Sequence, residues 1–183
     1  MTESRTRSRR MLLLLVALFF LPLALAFAAY YSGWRPAGNT NHGELLQPIR
    51  QLPAAIAQPL DGKWALVHVA DGACDVDCQT ALVFARQTRL SLAANTARVN
   101  WVLLATDHCC NRQYLDTAHK GIVVIDAAAD REGLLSVLPA QDLPHSLFVI
   151  DPLGNIVLRF DVRENPRGLL EDMKKLLKLS HIG

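Results

Sequence analysis

The 183-residue chain has little of several things that usually announce a function. Its three methionines, Met1, Met11 and Met173, are an initiator and two isolated apolar positions, which excludes a methionine-rich relay for soft metal ions. It has no glycine-rich phosphate loop, no serine in a nucleophile setting and no paired catalytic carboxylates, so those chemistries are set aside. No internal repeat is present, which excludes a solenoid. Charge of one sign is lacking too. With Arg5, Arg7, Arg9, Arg10 and Glu3 set aside as a tail, 15 basic and 16 acidic residues remain, a net charge of −1. Nucleic-acid binding needs a concentrated basic face, and none is present.

What is present begins with a long apolar run. Residues 11–29 carry no charge, and a helix of that length crosses the hydrocarbon core of a bilayer. Tyr30, Tyr31 and Trp34 follow where an interfacial aromatic belt would stand, and the four arginines before the run place the N-terminus in the cytoplasm by the positive-inside rule. The remainder would then lie in the periplasm, tethered to the plasma membrane by a single pass. A cleaved signal peptide is the competing reading, since Ala24-Leu25-Ala26 and Ala26-Phe27-Ala28 both fit a small-x-small cleavage site. The run exceeds the ~7–15 apolar residues of an ordinary signal, which favours an anchor. The expected organisation is a basic tail over 1–10, an anchor or signal peptide over 11–31, a linker over 32–61 and a folded domain over 62–183. The linker assignment rests on Pro36, Pro48, Pro53 and Pro59, with a short helical turn at most around Glu44 to Leu52.

Within the domain, apolar runs at 63–69, 99–106 and 121–126 read as strands, and the stretch from Cys78 to about Asn95 reads as helix. Residues 107–120 read as loop with a helical turn, and 129–138 as a short helix. Residues 146–150 and 156–160 flank Asp151-Pro152-Leu153-Gly154-Asn155 as a β-hairpin. Asn165 and Pro166 open a last helix with Leu169, Leu170, Met173, Leu176 and Leu177 along one face. This order predicts an α/β thioredoxin-like domain, a central mixed sheet with helices on both faces, behind the N-terminal transmembrane helix.

All four cysteines fall in the exported part. Cys74 and Cys78, four apart at a strand-to-helix junction, are expected on one face of the first helical turn with Cβ atoms about 5–6 Å apart. That spacing suits one metal ion or one disulfide. The parallel strands end on one sheet edge, so Cys74, Cys78, the 107–111 loop and His145 should converge there. Two thiolates and an imidazole form a soft set suited to Cu(I), and zinc accepts the same donors. Asp71, Asp75 and Asp77 disfavour a free thiolate, which weighs against a fast redox pair. Pro144, directly before a strand, stands where thioredoxins carry a cis-proline, and this keeps the redox reading open. Cys109 and Cys110 are adjacent, about 3.8 Å apart across a trans peptide, shorter than the usual ~4.4–6.8 Å disulfide span, so they are not expected to pair with each other. They would extend the site with His108, resolve a disulfide, or pack as small hydrophobes. His68 reads as a core or edge residue, and His42, His119 and His181 as solvated.

Cys-x-x-x-Cys after the first strand, a later His145-Ser146 followed by an apolar run, and Asp151-Pro152-x-Gly154 together resemble the SCO/SenC family of membrane-anchored, thioredoxin-like copper proteins that help assemble the CuA centre of cytochrome c oxidase. The resemblance implies copper, as Cu(I) or Cu(II), held by Cys74, Cys78 and His145. It implies a partner that is an oxidase subunit or another copper or thiol protein. The chain departs from the family in Asp75-Val76-Asp77 between the cysteines and in His108-Cys109-Cys110 after Asp107. The alternative is a periplasmic thiol-disulfide oxidoreductase with Cys74 attacking and Cys78 resolving.

Overall fold

The computed structural model describes residues 2–33, 40–180 and 182, with side chains from residue 9 onward; Trp34, Pro36 and His181 lie outside the described residues. The chain divides into two units, Met1–Asn39 and Thr40–Gly183. In the first, α1 (Thr2–Tyr31) is continuous through Pro22. Its Arg9–Tyr31 portion is long and apolar enough to cross a membrane by length and composition.

The second unit is the thioredoxin-like mixed sheet that the strand order predicts. Its strands are β1 (Glu44–Gln51), β2 (Trp64–Ala70), β3 (Val99–Ala105), β4 (Val123–Asp126), β5 (Ser146–Ile150) and β6 (Asn155–Asp161), arranged β1-β6-β5-β2-β3-β4. β2, β3 and β4 are parallel, while β5 is antiparallel to β2 and β6. Its helices are α2 (Ala54–Ala57), α3 (Val76–Leu90), α4 (Arg112–Ala118), α5 (Arg131–Val137) and α6 (Pro166–Leu179).

Alternation along the central strands splits the core in two. Trp64 and Leu66 of β2, Trp101 and Leu103 of β3 and Phe160 of β6 pack with Leu82 of α3 and Leu169 and Met173 of α6. The opposite face joins Val67, Val102, Leu104 and Phe148 to Ile56 of α2 and Leu134 of α5. Both faces are covered, so β2 and β5 read as continuous apolar runs.

The expected linker needs correction. Residues 44–51 form a strand that pairs antiparallel with β6 at the sheet edge, and the expected helical turn there is absent. An edge strand gains its backbone hydrogen bonds without burying its side chains, so β1 carries no apolar alternation, and Pro48 is tolerated at an edge. The approach to β1 is fixed by the buried Asp172 carboxylate of α6, which accepts from the backbone N–H groups of His42 (2.8 Å) and Gly43 (2.9 Å). Leu52, Ile56 and Leu60 then bury themselves in the core, so the domain begins well before residue 62.

His119 also differs from its expected solvated place. It caps the C-terminal end of α4, is buried, and stands edge-on to Trp101 and Tyr114 with centroids 5.3 Å from each. The Tyr114 hydroxyl lies 3.0 Å from its Nε2, and burial lowers its pKa.

Candidate functional site

Strand register gathers the site. β2 and β3 run in step from Trp64 opposite Val99 to Ala70 opposite Ala105, so both end at one edge. β5 pairs His68 with Leu147, so its first residue, Ser146, lies at that same edge. The loops after β2 and β3 are stitched together there. The Gly72 N–H donates to the Asp107 carbonyl (2.8 Å), and the Asn111 N–H donates to the Gly72 carbonyl (3.0 Å). A Cβ on Gly72 would stand 2.8 Å from Cys109 Cα and from the His108 carbonyl oxygen, so only glycine permits this approach.

Helix α3 begins at Val76 and ends at Leu90, so Cys74 is not on its first turn as the cysteine spacing predicts. Asp75 is the N-cap, its carboxylate accepting from the Cys78 N–H at 2.9 Å, so Cys78 stands in the first turn and Cys74 stays in the loop before the cap. Cys74 adopts the left-handed region, φ 52°, with its N–H donated to the Asp71 carbonyl and its own carbonyl accepting from the Gln79 side-chain amide. The two cysteines form a disulfide with Cα atoms 5.1 Å apart, and both are buried.

Beside them opens a cavity of about 380 Å³ lined by His68, Cys74, Asp75, Cys78, Arg131 and Pro144 among others. Arg131, from the start of α5, brings a cation to a place where the sequence showed only aspartates. The first turn of α3 adds the positive end of a helix dipole beneath Cys78. The helix dipole favours a thiolate at Cys78 once the pair is reduced, against the opposing charges of Asp75 and Asp77.

His68 is wholly buried, and its position in β2 is set by the alternation that puts Trp64 and Leu66 on the α3 face. Its Nδ1 is 3.0 Å from the Ser146 carbonyl oxygen, and its Nε2 is buried without a partner. Burial lowers its pKa, against the raising effects of that carbonyl, Asp75 and Asp77. Sequence alone placed it as an ordinary core residue; the shared parity with Leu66, beneath the helix that carries Cys78, was the available signal.

His145 lies in the turn of 3-10 helix Leu143–His145 before β5. Its Nδ1 is 3.1 Å from Asp142 Oδ1 and its Nε2 3.9 Å from Asp77 Oδ1. Asp142 in turn pairs with Arg163, which also pairs with Asp161 and holds that carboxyl at about 2. Thus the expected convergence at one edge is present, but Pro144, not His145, lines the cavity beside the cysteines. Among the described residues no group of three or more His, Cys, Asp or Glu side chains is disposed to hold a metal ion. In this structure the Cys74 and Cys78 sulfurs are bonded to each other, and His145 stands at the same edge with its Nδ1 beside Asp142. Pro144 follows a trans peptide, since the cis bonds among the described residues are Gln47–Pro48 and Cys109–Cys110.

Cys109 and Cys110, expected not to pair, form a disulfide. The expectation assumed a trans link with its fixed Cα spacing. The cis peptide brings the two Cα atoms to 3.0 Å instead. Next to them the His108 Nδ1 is 2.9 Å from Asp71 Oδ2, a contact between exposed side chains that raises the His108 pKa. Asp71 is lowered, first by the Ala73 N–H and then by His108.

Residues 64–180 match the family model described as the transmembrane-like, thioredoxin-like, C-terminal domain. No curated protein sequence matches the chain. Among solved structures, copper-bound Sco1 from yeast is similar at TM-score 0.57 and 14% identity, over 77% of this chain and 95% of that one. Apo Sco1 from Thermus thermophilus gives 0.56 and 14%, over 76% and 99%. Copper-bound ScoI from Arabidopsis thaliana gives 0.55 and 13%, over 68% and 89%. At these identities the likeness is one of fold.

Proposed function

The chain belongs to the transmembrane-like, thioredoxin-like C-terminal domain family, and on that premise we propose that it is a membrane-anchored assembly protein of the SCO type. Its Cys74–Cys78 pair exchanges disulfide and dithiol states with the cysteines of an exported copper-binding partner. The partner we infer is the subunit of cytochrome c oxidase that carries CuA, whose cysteines must be reduced before they can take copper. In this reading α1 is the uncleaved anchor, the arginine-rich start stays in the cytoplasm, and the domain works in the periplasm.

The observation that carries the reading is the disulfide at a helix N-terminus beside a cavity whose lining includes Arg131. A structural staple needs none of these, and a domain with two apolar core faces does not depend on one. In the reduced protein Cys74, in the loop before the cap, is the attacking sulfur. Cys78, held in the first turn by the Asp75 cap, is the resolving one. Pro144 and Leu143 also line the cavity.

Copper-bound relatives of the fold raise delivery of Cu(I) as a second chemistry for the same partner. One experiment separates the two. The reduced full chain in detergent, under nitrogen, is mixed with the disulfide form of the copper-binding domain of the oxidase subunit, and partner thiols are counted by alkylation and mass spectrometry. A parallel sample is titrated with Cu(I) against a competing chelator. Exchange predicts two partner thiols per chain oxidised, lost in Cys74→Ser and Cys78→Ser and retained in His145→Ala. One-to-one Cu(I) binding that His145→Ala weakens, with no partner reduction, would replace exchange by delivery.

A further inference from the structure

We propose that the outer face of α3 is the docking surface for the exchange partner, and that its occupant is an apolar segment carrying lysine or arginine beside the partner's reacting cysteine. This deepens the exchange reading above and rests on it.

The inner face of α3 is spent on the core through Cys78, Ala81, Leu82 and Ala85. Val76, Val83 and Leu90 follow at intervals of seven, close to two helical turns each, so they form one stripe on the opposite face. All three are exposed, Val76 at 74%, Leu90 at 57% and Val83 at 44%. A single exposed apolar side chain needs no explanation, whereas a row along a groove does. The groove, about 290 Å³, is lined by Val76, Gln79, Thr80 and Val83 together with Tyr114 of α4. Its polar groups are already engaged within the chain. The Thr80 hydroxyl donates to the Val76 carbonyl (2.8 Å), the Tyr114 hydroxyl lies 3.0 Å from His119 Nε2, and the Gln79 side-chain amide donates to the Cys74 carbonyl (3.1 Å). What remains for a ligand is mainly hydrocarbon: two valine side chains, a threonine methyl and a tyrosine ring.

Two features fix the occupant. The groove is continuous with the exchanging pair, since Val76 lies between Cys74 and Cys78 in the chain and Gln79 is hydrogen-bonded to the Cys74 backbone. A segment seated there belongs to the molecule whose sulfur reacts at Cys74. From Val76 to Leu90 the stripe runs about 21 Å, the length of roughly six extended residues. Charge then sets the composition. Asp75 and Asp77 flank Val76 and are exposed, and Asp71 and Asp107 add exposed carboxylates on the adjoining loops. Cations on the occupant are favoured at that end, and carboxylates are repelled.

The test uses the reduced full chain in lipid nanodiscs with three peptide disulfides, each two copies of one short peptide joined through its single cysteine. One peptide is apolar and basic, one apolar and acidic, one polar and neutral; oxidised glutathione is the probe too small to fill the groove. In each reaction Cys74 bonds one probe sulfur and the other leaves as a thiol, then Cys78 displaces the first. The chain's two thiols become the Cys74–Cys78 disulfide, and the probe's disulfide becomes two thiols carrying the chain's two thiol protons. Acid quenching and mass spectrometry give the second-order rate. The apolar, basic peptide is expected to react about tenfold faster than oxidised glutathione, the return from covering one valine-sized side chain. Val83→Asp removes that advantage while its rate with oxidised glutathione and its urea midpoint stay at wild-type values, and Val83→Leu retains it. Asp77→Asn slows the basic peptide about threefold at low salt and not at high salt. Equal rates for the three peptides, or a fastest reaction with the acidic one, would overturn the occupant named here. So would a dimer of the chain that Val83→Asp dissolves in sedimentation, since a second copy would then cover the stripe. No reaction with oxidised glutathione or with any peptide would overturn the exchange reading and this one with it.

Discussion

The two cysteine pairs stand on neighbouring loops of one sheet edge, joined by the hydrogen bonds at Gly72, yet their surroundings differ. Cys74 and Cys78 are buried, and the second is seated in a helix's first turn beside a cavity with a cation and a neutral imidazole. Cys109 and Cys110 are half-buried neighbours in a loop, next to an exposed His108 that is held by Asp71. Disulfide chemistry depends on thiolate character and on room for a partner. The first pair has a helix N-terminus at Cys78 and a cavity beside it.

The largest expected effect follows directly. Cys74→Ser should abolish exchange with a protein disulfide and Cys78→Ser should stall it at the mixed disulfide, while the double change Cys109→Ser, Cys110→Ser should leave the rate within about threefold, measured by thiol alkylation. A large loss in the double variant would mean that the pairs act in series.

The next effect tests the seam between the loops. Gly72→Ala should destabilise the Thr40–Gly183 unit by about 2–3 kcal/mol, because its Cβ meets backbone of the facing loop and that backbone must shift. Urea unfolding of the full chain, followed by tryptophan fluorescence, reads this; a midpoint equal to wild type would show the loops to be independent.

Acidification gives a third. His68 has a folded pKa below its unfolded value near 6.5, so the unfolded state binds more protons in the interval between them. Stability from this group is complete above about pH 6.5 and is lost as pH falls below it. Thermal midpoints should therefore drop from pH 7 toward pH 5, with a shallower slope in His68→Gln; equal slopes would contradict the burial of a neutral imidazole.

Asp75→Ala should cost about 1 kcal/mol by removing the cap of α3, and calorimetry would detect it. His145→Ala is the mildest change, within about 0.5 kcal/mol in stability and within about twofold in exchange. A collapse of exchange in that variant would restore His145 to the centre of the chemistry.

Much of the fold was legible. The caps and periodicity of α6, the hairpin from Ser146 to Asp161 and the buried parallel strands all carry local signals strong enough to read. β1 was not, because an edge strand with exposed side chains looks like linker. At the site, spacing located both cysteines and placed His145 at the correct edge. It could not show that Asp142 holds that imidazole, since the contact depends on a turn whose geometry is tertiary. Nor could it show that His68 lines the same cavity as the cysteines, because a histidine within an apolar run gives its face only once the helix above it is known. Arg131 had no signal at all; it reaches the cavity from a helix 53 residues beyond Cys78.

The central claim is that Cys74–Cys78 is an exchanging pair and not a staple. The direct measurement is the redox state of all four cysteines in the native full chain across a series of glutathione buffers, trapped by alkylation and read by mass spectrometry. The account predicts that Cys74 and Cys78 pass together from disulfide to dithiol at one midpoint within the series, unmoved by serine at Cys109 and Cys110. A Cys74–Cys78 bond that stays oxidised throughout, opening only when the protein unfolds, would contradict it.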